Sequence, residues 1–143
     1  MRLKFIVIVA LVIAGCATRY IKPTTVQNIP PMEKFSAFGQ FELQQVSLDA
    51  DYSDQNTNLR ARAKIQEHFD SRVAPIIEEW NRNAPRETPA RILVIVPRIE
   101  HIKFIGGGVR VWVGPIAGSS AVIMKVKYID KASGKLVAEP EFF

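Results

Sequence analysis

The longest repeating pattern in this chain is helical, because apolar positions recur at steps of three and four residues from Leu59 to about Asn83. Such a stripe predicts an amphipathic helix that buries one face. The stripe consists of Leu59, Ala63, Gln66, Phe69, Val73, Ile76, Ile77 and Trp80. Pro75 lies inside it, and proline removes a helical hydrogen bond and crowds the preceding turn. We therefore expect either a kink near residues 72–74 or a break into two helices.

Segments with strand patterns precede and follow this helix in the sequence. Residues 35–48 are the first candidate strand: Phe41, Leu43, Val46 and Leu48 alternate with polar positions, and a slip at Gln44 and Gln45 predicts a β-bulge. Arg91 is followed by a continuous apolar run over residues 92–96, of the kind found in interior strands. Pro97 follows this run and has no N–H to donate, so the pattern predicts an edge, a bend or a bulge at that residue.

Two later segments, residues 109–113 and 121–130, alternate again and predict half-buried strands. A turn follows, in which Asp130 is the opening residue and Gly134 supplies the positive φ of a hairpin that closes with a bulge. A return strand begins after this turn, and Pro140 interrupts it.

This order of elements predicts an α+β domain over residues 35–143. One long helix, kinked if Pro75 bends it, is expected to pack on a mainly antiparallel sheet of four to five strands. A short N-terminal signal helix and a tether are expected to precede this domain.

The first apolar segment of the chain is too short to span a membrane. Arg2 and Lys4 precede about ten apolar residues, which is the pattern of an export signal over residues 1–15. A spanning helix needs roughly twenty apolar residues. The segment ends with Ile13, Ala14, Gly15 and Cys16. These four residues resemble the lipobox of bacterial lipoproteins.

The lipobox resemblance implies that the signal is cleaved between Gly15 and Cys16 and that Cys16 is lipidated. In that family the cysteine sulfur is diacylated and the freed amine is acylated, so palmitate labelling is expected. Cys16 is the only cysteine of the chain, and acylation accounts for a thiol with no disulfide partner in an exported protein. The alternative is an ordinary secretory signal that happens to be followed by a cysteine.

Residues 16–34 predict a lipid-anchored flexible tether, because their prolines and polar pairs favour extended or turn conformations. Ala17 follows the cysteine at the position where aspartate favours retention in the inner membrane of Gram-negative bacteria. By this resemblance to the lipoprotein sorting rule, we expect attachment to the outer membrane, facing the periplasm, in preference to the inner membrane.

Composition bounds the size and the partners of the mature chain. Removal of residues 1–15 leaves 128 residues, which is enough for one domain with a buried core. The mature charge is about +3, from 17 basic and 14 acidic side chains spread along the chain. Nucleic-acid-binding proteins usually concentrate lysine and arginine in one stripe. We therefore expect no nucleic-acid partner.

The sequence contains no cluster that predicts catalysis, a cofactor or a metal. Residues 106–108 and 114–118 are rich in glycine, but they lack the lysine and the following helix of a phosphate-binding loop. His68 and His101 lie 33 residues apart and have no His-x-x-x-His or cysteine-rich partner. We expect both histidines to be surface groups.

A further set of residues combines turn glycines with an alternating strand. It comprises Arg110, Gly114, Ala117, Gly118, Ser119, residues 122–130, Ser133, Gly134 and Lys135. The pattern resembles a family of bacterial lipoproteins built around a domain of unknown function. The resemblance implies an envelope location and an α+β domain, with no assigned activity. Members of that family continue into a further helix that this chain lacks, so truncation at Phe143 is an alternative.

These features predict a lipid-anchored cell-envelope lipoprotein that acts as a binding or assembly module. The alternatives are an envelope enzyme of unknown reaction and a structural spacer. An enzyme should show a cleft with converging polar groups and shifted pKa values, whereas a module should show an apolar or edge-strand surface. No later strand covers residues 135–143, so with Phe142 and Phe143 they predict self-association or docking of a partner strand.

Overall fold

The computed structural model describes residues 27–84, 90–103 and 121–143, and within these the chain forms an α+β domain. A helical segment packs on one face of a six-stranded mixed sheet. The strands are β1 (Gln40–Leu43), β2 (Ser47–Leu48), β3 (Ile92–Lys103), β4 (Ala121–Asp130), β5 (Leu136–Ala138) and β6 (Glu141–Phe142). The predicted fold class is confirmed, with slightly more strands than expected. The strand predicted at residues 109–113 lies outside the described residues.

Strands β3 and β4 form the centre of the sheet. Strand β4 pairs antiparallel with β3, β5 and β6, so most of the ladder is antiparallel, as predicted. Strands β1 and β2 pair in parallel with β3, and the helical segment is the crossover connection between them. The gap between β1 and β2 falls at residues 44–46, where the sequence pattern predicts a bulge.

The core lies between the helical segment and the sheet. Its main cluster consists of Val46, Ile77, Ile95, Ile99, Ile102, Met124 and Val126. The pairing of β3 with β4 shifts by one residue between Ile99 and His101. Because a bulge reverses the inside–outside alternation, Ile102 joins Ile99 in the same cluster. A smaller cluster of Phe38, Leu93 and Val137 extends the core towards the last strands.

The helical segment contains an irregular turn where the sequence predicts a kink or a break. It consists of α1 (Asn56–His68), a π turn (Phe69–Val73) and α2 (Ala74–Asn83). Pro75 has no N–H to donate to the preceding turn of an α-helix. The N–H of Ala74 donates instead to the carbonyl of Phe69, five residues earlier. The helical segment therefore continues past the proline through a widened turn.

The π turn changes which residues face the core. From Asn58, Ile65 and Phe69, a regular α-helix would turn positions 72 and 76 towards the sheet. The extra residue moves the buried positions to Val73 and Ile77, so Ile77 is 7% exposed and Ile76 is 47% exposed. The predicted stripe is therefore wrong at Ile76. It is also wrong before the π turn, where Leu59 and Ala63 are exposed and Ile65, which was not assigned to the stripe, packs against the core.

Pro97 lies inside the central strand and pairs with Val126, so the prediction of an edge or a bulge at this residue is wrong. The carbonyls of Ile95 and Ile99 accept hydrogen bonds from the N–H groups of Gln44 and Asp49. The backbone N–H and C=O groups of the odd-numbered residues in this stretch therefore point towards β1 and β2. Pro97 faces the gap between those strands. Because no strand carbonyl there requires a donor, the missing N–H of the proline costs no ladder hydrogen bond.

The hairpin between β4 and β5 has the predicted geometry. Gly134 has a φ of 68°, and its N–H donates to the Asp130 carbonyl at 2.8 Å. The Asp130 carboxylate accepts from the N–H of Ala132 at 3.0 Å, and the Ser133 hydroxyl accepts from the N–H of Lys135 at 3.3 Å. These bonds satisfy the backbone of the turn and fix the register of the return strand.

Candidate binding site

An open apolar depression, here called the aromatic pocket, lies where the start of the domain meets the end of α2. It is lined by Phe35, Ser36, Phe38, Phe41, Trp80, Asn83 and Ala84. Its volume of about 370 Å³ is within the range of small-ligand sites, and its walls are mostly aromatic. An apolar surface of this kind is what a binding module is expected to show, in place of the converging polar groups of an enzyme.

Three phenylalanines of the pocket come from one short stretch of chain. Phe35 opens a 3₁₀ turn (Phe35–Ala37), Phe38 follows the turn, and Phe41 lies on β1. A 3₁₀ turn has three residues per turn, so the spacing of Phe35 and Phe38 places them on one side of it. The Phe35 ring stacks on Tyr128 of β4 with centroids 4.7 Å apart. This three-residue spacing was the available sequence signal for the site, and sequence reasoning missed it.

Trp80 supplies the wall of the pocket that belongs to the helix. Its ring meets Phe41 edge to face, with centroids 5.5 Å apart and an interplanar angle of 65°. Edge-to-face pairs of this kind are favourable beyond the area that they bury. Trp80 remains 47% exposed, so much of its ring is accessible to a bound group.

The floor of the pocket is fixed by an ion-pair network. The guanidinium carbon of Arg91 lies 4.4 Å from the centroid of the buried Phe38 ring, in cation–π contact. Arg91 also donates to both oxygens of Glu33, at 2.6 and 3.1 Å, and to Asp130 at 2.9 Å. Two carboxylates therefore hold the cation over the ring.

This network accounts for the direction of the pKa shifts of its members. Hydrogen bonds from Arg91 lower the pKa of Glu33 and of Asp130 below the usual carboxyl values. The same bonds raise the pKa of Arg91. The three groups whose pKa values are shifted are thus members of a structural ion-pair network. Other residues line the aromatic pocket.

A second polar network lies across β2, β3 and β4. Arg98 pairs with Asp49 and lies 4.0 Å from Glu100, which also contacts Lys125 at 3.3 Å. The N–H of Asp51 and the Arg98 side chain both lower the pKa of Asp49. The alternation of cations and carboxylates neutralises much of the charge in this region.

The two histidines have different surroundings. His68 is exposed on α1, as predicted. His101 is half-buried, and its Nδ1 lies 2.9 Å from the Tyr52 hydroxyl in hydrogen-bond contact, so its assignment as a simple surface group is wrong. Within the described ranges, no group of three or more histidine, cysteine, aspartate or glutamate side chains is placed to hold a metal.

The C-terminal edge of the sheet is bonded to the end of the predicted tether. The Asn28 side chain donates to the carbonyl of Glu141 at 2.9 Å and accepts from its N–H at 2.7 Å. The N–H of Met32 donates to the carbonyl of Val137 at 2.9 Å. Residues 28–32 therefore contact the domain, and strand addition along residues 135–143 stays a prediction that requires their displacement.

Several sequence-predicted features lie outside the described residues. These are the signal peptide, Gly15, Cys16 and the glycine-rich segments at 106–108 and 114–118. Among the helices that the structure does describe, none has the length and apolar character to cross a membrane. Comparisons with protein-family models, with curated proteins and with solved structures gave no match to this chain. The two family resemblances of the sequence therefore stay predictions.

Proposed function

We propose that the mature chain is a lipid-anchored cell-envelope lipoprotein that faces the periplasm and binds a partner through the aromatic pocket. The anchor rests on the lipobox-like sequence that ends at Cys16. The binding role rests on one observation, the open pocket whose aromatic walls include the half-exposed Trp80. Apolar concave surfaces with an accessible aromatic ring are typical of recognition sites.

The pocket chemistry indicates the kind of group that binds. Phe35, Phe41 and Trp80 offer ring faces and edges, and Ser36 and Asn83 add hydrogen-bonding groups at the same site. An apolar or aromatic side chain of a partner protein would displace water from these rings and gain roughly 25 cal/mol for each Å² of apolar surface buried. The site is therefore assigned to protein–protein assembly at the envelope.

The anchor is tested by lipid labelling of cells that produce the full chain. Wild-type protein should incorporate palmitate, and on membrane separation it should follow the outer-membrane fraction. Cys16→Ser should lose the label and remain unprocessed or soluble, because the thiol is the acyl acceptor. Palmitate labelling and membrane attachment that persist in Cys16→Ser would contradict the anchor.

The binding role is tested by photo-crosslinking in intact cells. A benzophenone amino acid at Ser36, in the pocket, should give discrete crosslinked products, whereas the same group at the exposed Asp54 serves as the control. Trp80→Ala in the Ser36 background should remove those products while the chain stays folded by circular dichroism. Products of equal yield from both positions, or insensitive to Trp80→Ala, would refute binding at the pocket.

A further inference from the structure

The exposed large hydrophobic side chains of the described residues fall into two groups. One group is on the helical segment and consists of Leu59, Ile76 and Trp80. The other group, here called the terminal apolar surface, consists of Ile29, Met32, Phe142 and Phe143. These four side chains are between 49% and 84% exposed. Exposed apolar residues that lie together, unlike single ones, mark interaction surfaces.

Hydrogen bonds bring the members of the terminal apolar surface to one edge of the sheet. The paired bonds between Asn28 and Glu141 place the neighbouring residues Ile29 and Phe142 on the same edge. The bond from the N–H of Met32 to Val137 continues this contact along β5. Two segments more than a hundred residues apart in sequence therefore lie side by side at this edge, and each carries exposed apolar residues.

This edge is also where the chain leads towards the anchor. Asn28 follows Cys16 by twelve positions, and twelve residues span at most about 40 Å when fully extended. Aromatic side chains such as those of Phe142 and Phe143 gain free energy from transfer out of water.

We propose that the terminal apolar surface rests on the phospholipid bilayer and sets the orientation of the domain on the membrane. This inference rests on the proposed lipid anchor, which holds the edge within reach of the bilayer. Strand pairing with a second copy of the chain is less favourable here, because the Val137 carbonyl and both backbone groups of Glu141 are already bonded to Met32 and Asn28. A bilayer interacts with the apolar side chains alone and requires no free backbone donors or acceptors.

The test measures the depth of single tryptophans in vesicles that contain brominated phosphatidylethanolamine and phosphatidylglycerol. Residues 16–143 are joined to a maleimide lipid at Cys16, and Trp80 and Trp112 are replaced by phenylalanine. Gln27→Trp reports on the terminal apolar surface, and Asp54→Trp, before α1, is the control. We expect quenching by brominated chains to be at least twofold for Gln27→Trp and close to none for Asp54→Trp.

Matched variants connect the quenching to the named residues. Phe142→Ser with Phe143→Ser should abolish the quenching of Gln27→Trp, whereas Leu59→Ser with Ile76→Ser should leave it unchanged, since those exposed residues lie on the helical segment. Equal quenching at positions 27 and 54, or no effect of the phenylalanine changes, would overturn the proposal. A dimer of the Cys16→Ser chain in sedimentation that depends on Phe142 and Phe143 would also overturn it, in favour of a second copy.

The chemical lipid separates this proposal from the proposed function. Attachment through the maleimide does not require natural acylation, so the quenching result stands whatever palmitate labelling shows. Failure of labelling in cells would reject the natural anchor alone. Failure of quenching would reject the membrane-facing surface alone.

Discussion

The side-chain amide of Asn81 binds both backbone groups of Phe41. Its Nδ2–H donates to the Phe41 carbonyl at 2.9 Å, and its Oδ1 accepts from the Phe41 N–H at 2.7 Å. Asn28 makes the same pair of bonds with Glu141 on β6. Edge strands expose such groups to pairing with other chains. Here an asparagine from a segment outside the sheet binds the N–H and the C=O of one residue at each of the two edges of the sheet.

Asn81→Asp should lower the free energy of unfolding by about 1–3 kcal/mol, because a carboxylate can accept from the Phe41 N–H but cannot donate to its carbonyl. Asn83→Asp is the matched control, since it adds the same charge to the same end of α2. Urea unfolding at neutral pH gives both values. Equal losses in the two variants would mean that helix-end charge, and not the bonds to Phe41, causes the effect.

Ile77→Ala should cost about 2–5 kcal/mol of stability, because it opens a cavity beside Val46 and Ile95. Ile76→Ala should cost far less, since that side chain is half exposed. Thermal and urea unfolding of the two variants test which side of α2 the π turn directs towards the core. A larger loss of stability at position 76 than at 77 would contradict the burial of Ile77.

Gly134→Val should destabilise the domain by roughly 1–3 kcal/mol, because a β-branched residue resists a φ of 68°. An added Cβ at this position meets no atom within 4 Å, so the cost is in the backbone and not in a clash. Gly134→Asn, which tolerates positive φ better, should lose clearly less. Melting temperatures that fall equally for valine and asparagine would show that backbone strain is not the cause.

The stability of the domain should decrease as the pH falls below about 4. Arg91 lowers the pKa of Asp130 and of Glu33 in the folded chain, so the folded state binds protons less readily than the unfolded state. The stabilisation is complete above the unfolded carboxyl pKa and is lost as the pH falls through the lower folded value. Urea unfolding between pH 6 and pH 2 should therefore show a flatter profile for Asp130→Asn. The exposed Asp54→Asn should retain the wild-type slope, and an unchanged Asp130→Asn profile would contradict the network.

The features that were predicted correctly from the sequence depend on residues that are close together in the chain. Gly134 takes positive φ because Asp130, Ala132 and Lys135 close the turn around it. Pro75 disturbs the helix because its ring and missing N–H affect the turn immediately before it. Periodicity likewise predicted the α+β class, the presence of the helical segment and the strands within residues 40–48, 92–103 and 121–138.

The candidate site depends on contacts between distant residues, and the sequence indicated little of it. The cation–π contact joins Arg91 to Phe38, and the aromatic pocket joins Phe41 to Trp80. Periodicity reports which side of an element is apolar, but it does not say which other element covers that side. The pocket could therefore be recognised only after β1 and α2 were packed together.

The sequence by itself determined the class of fold, the position of the hairpin and the irregular turn before Pro75, since backbone stereochemistry and local hydrogen bonds decide these. Tertiary structure alone decided the parallel pairing of β1 with β3, the place of Pro97 inside β3 and the bonding of Asn28 to Glu141. Each of these joins segments separated by long stretches of chain. Their free energy comes from burial and hydrogen bonding that exist only once the sheet has formed.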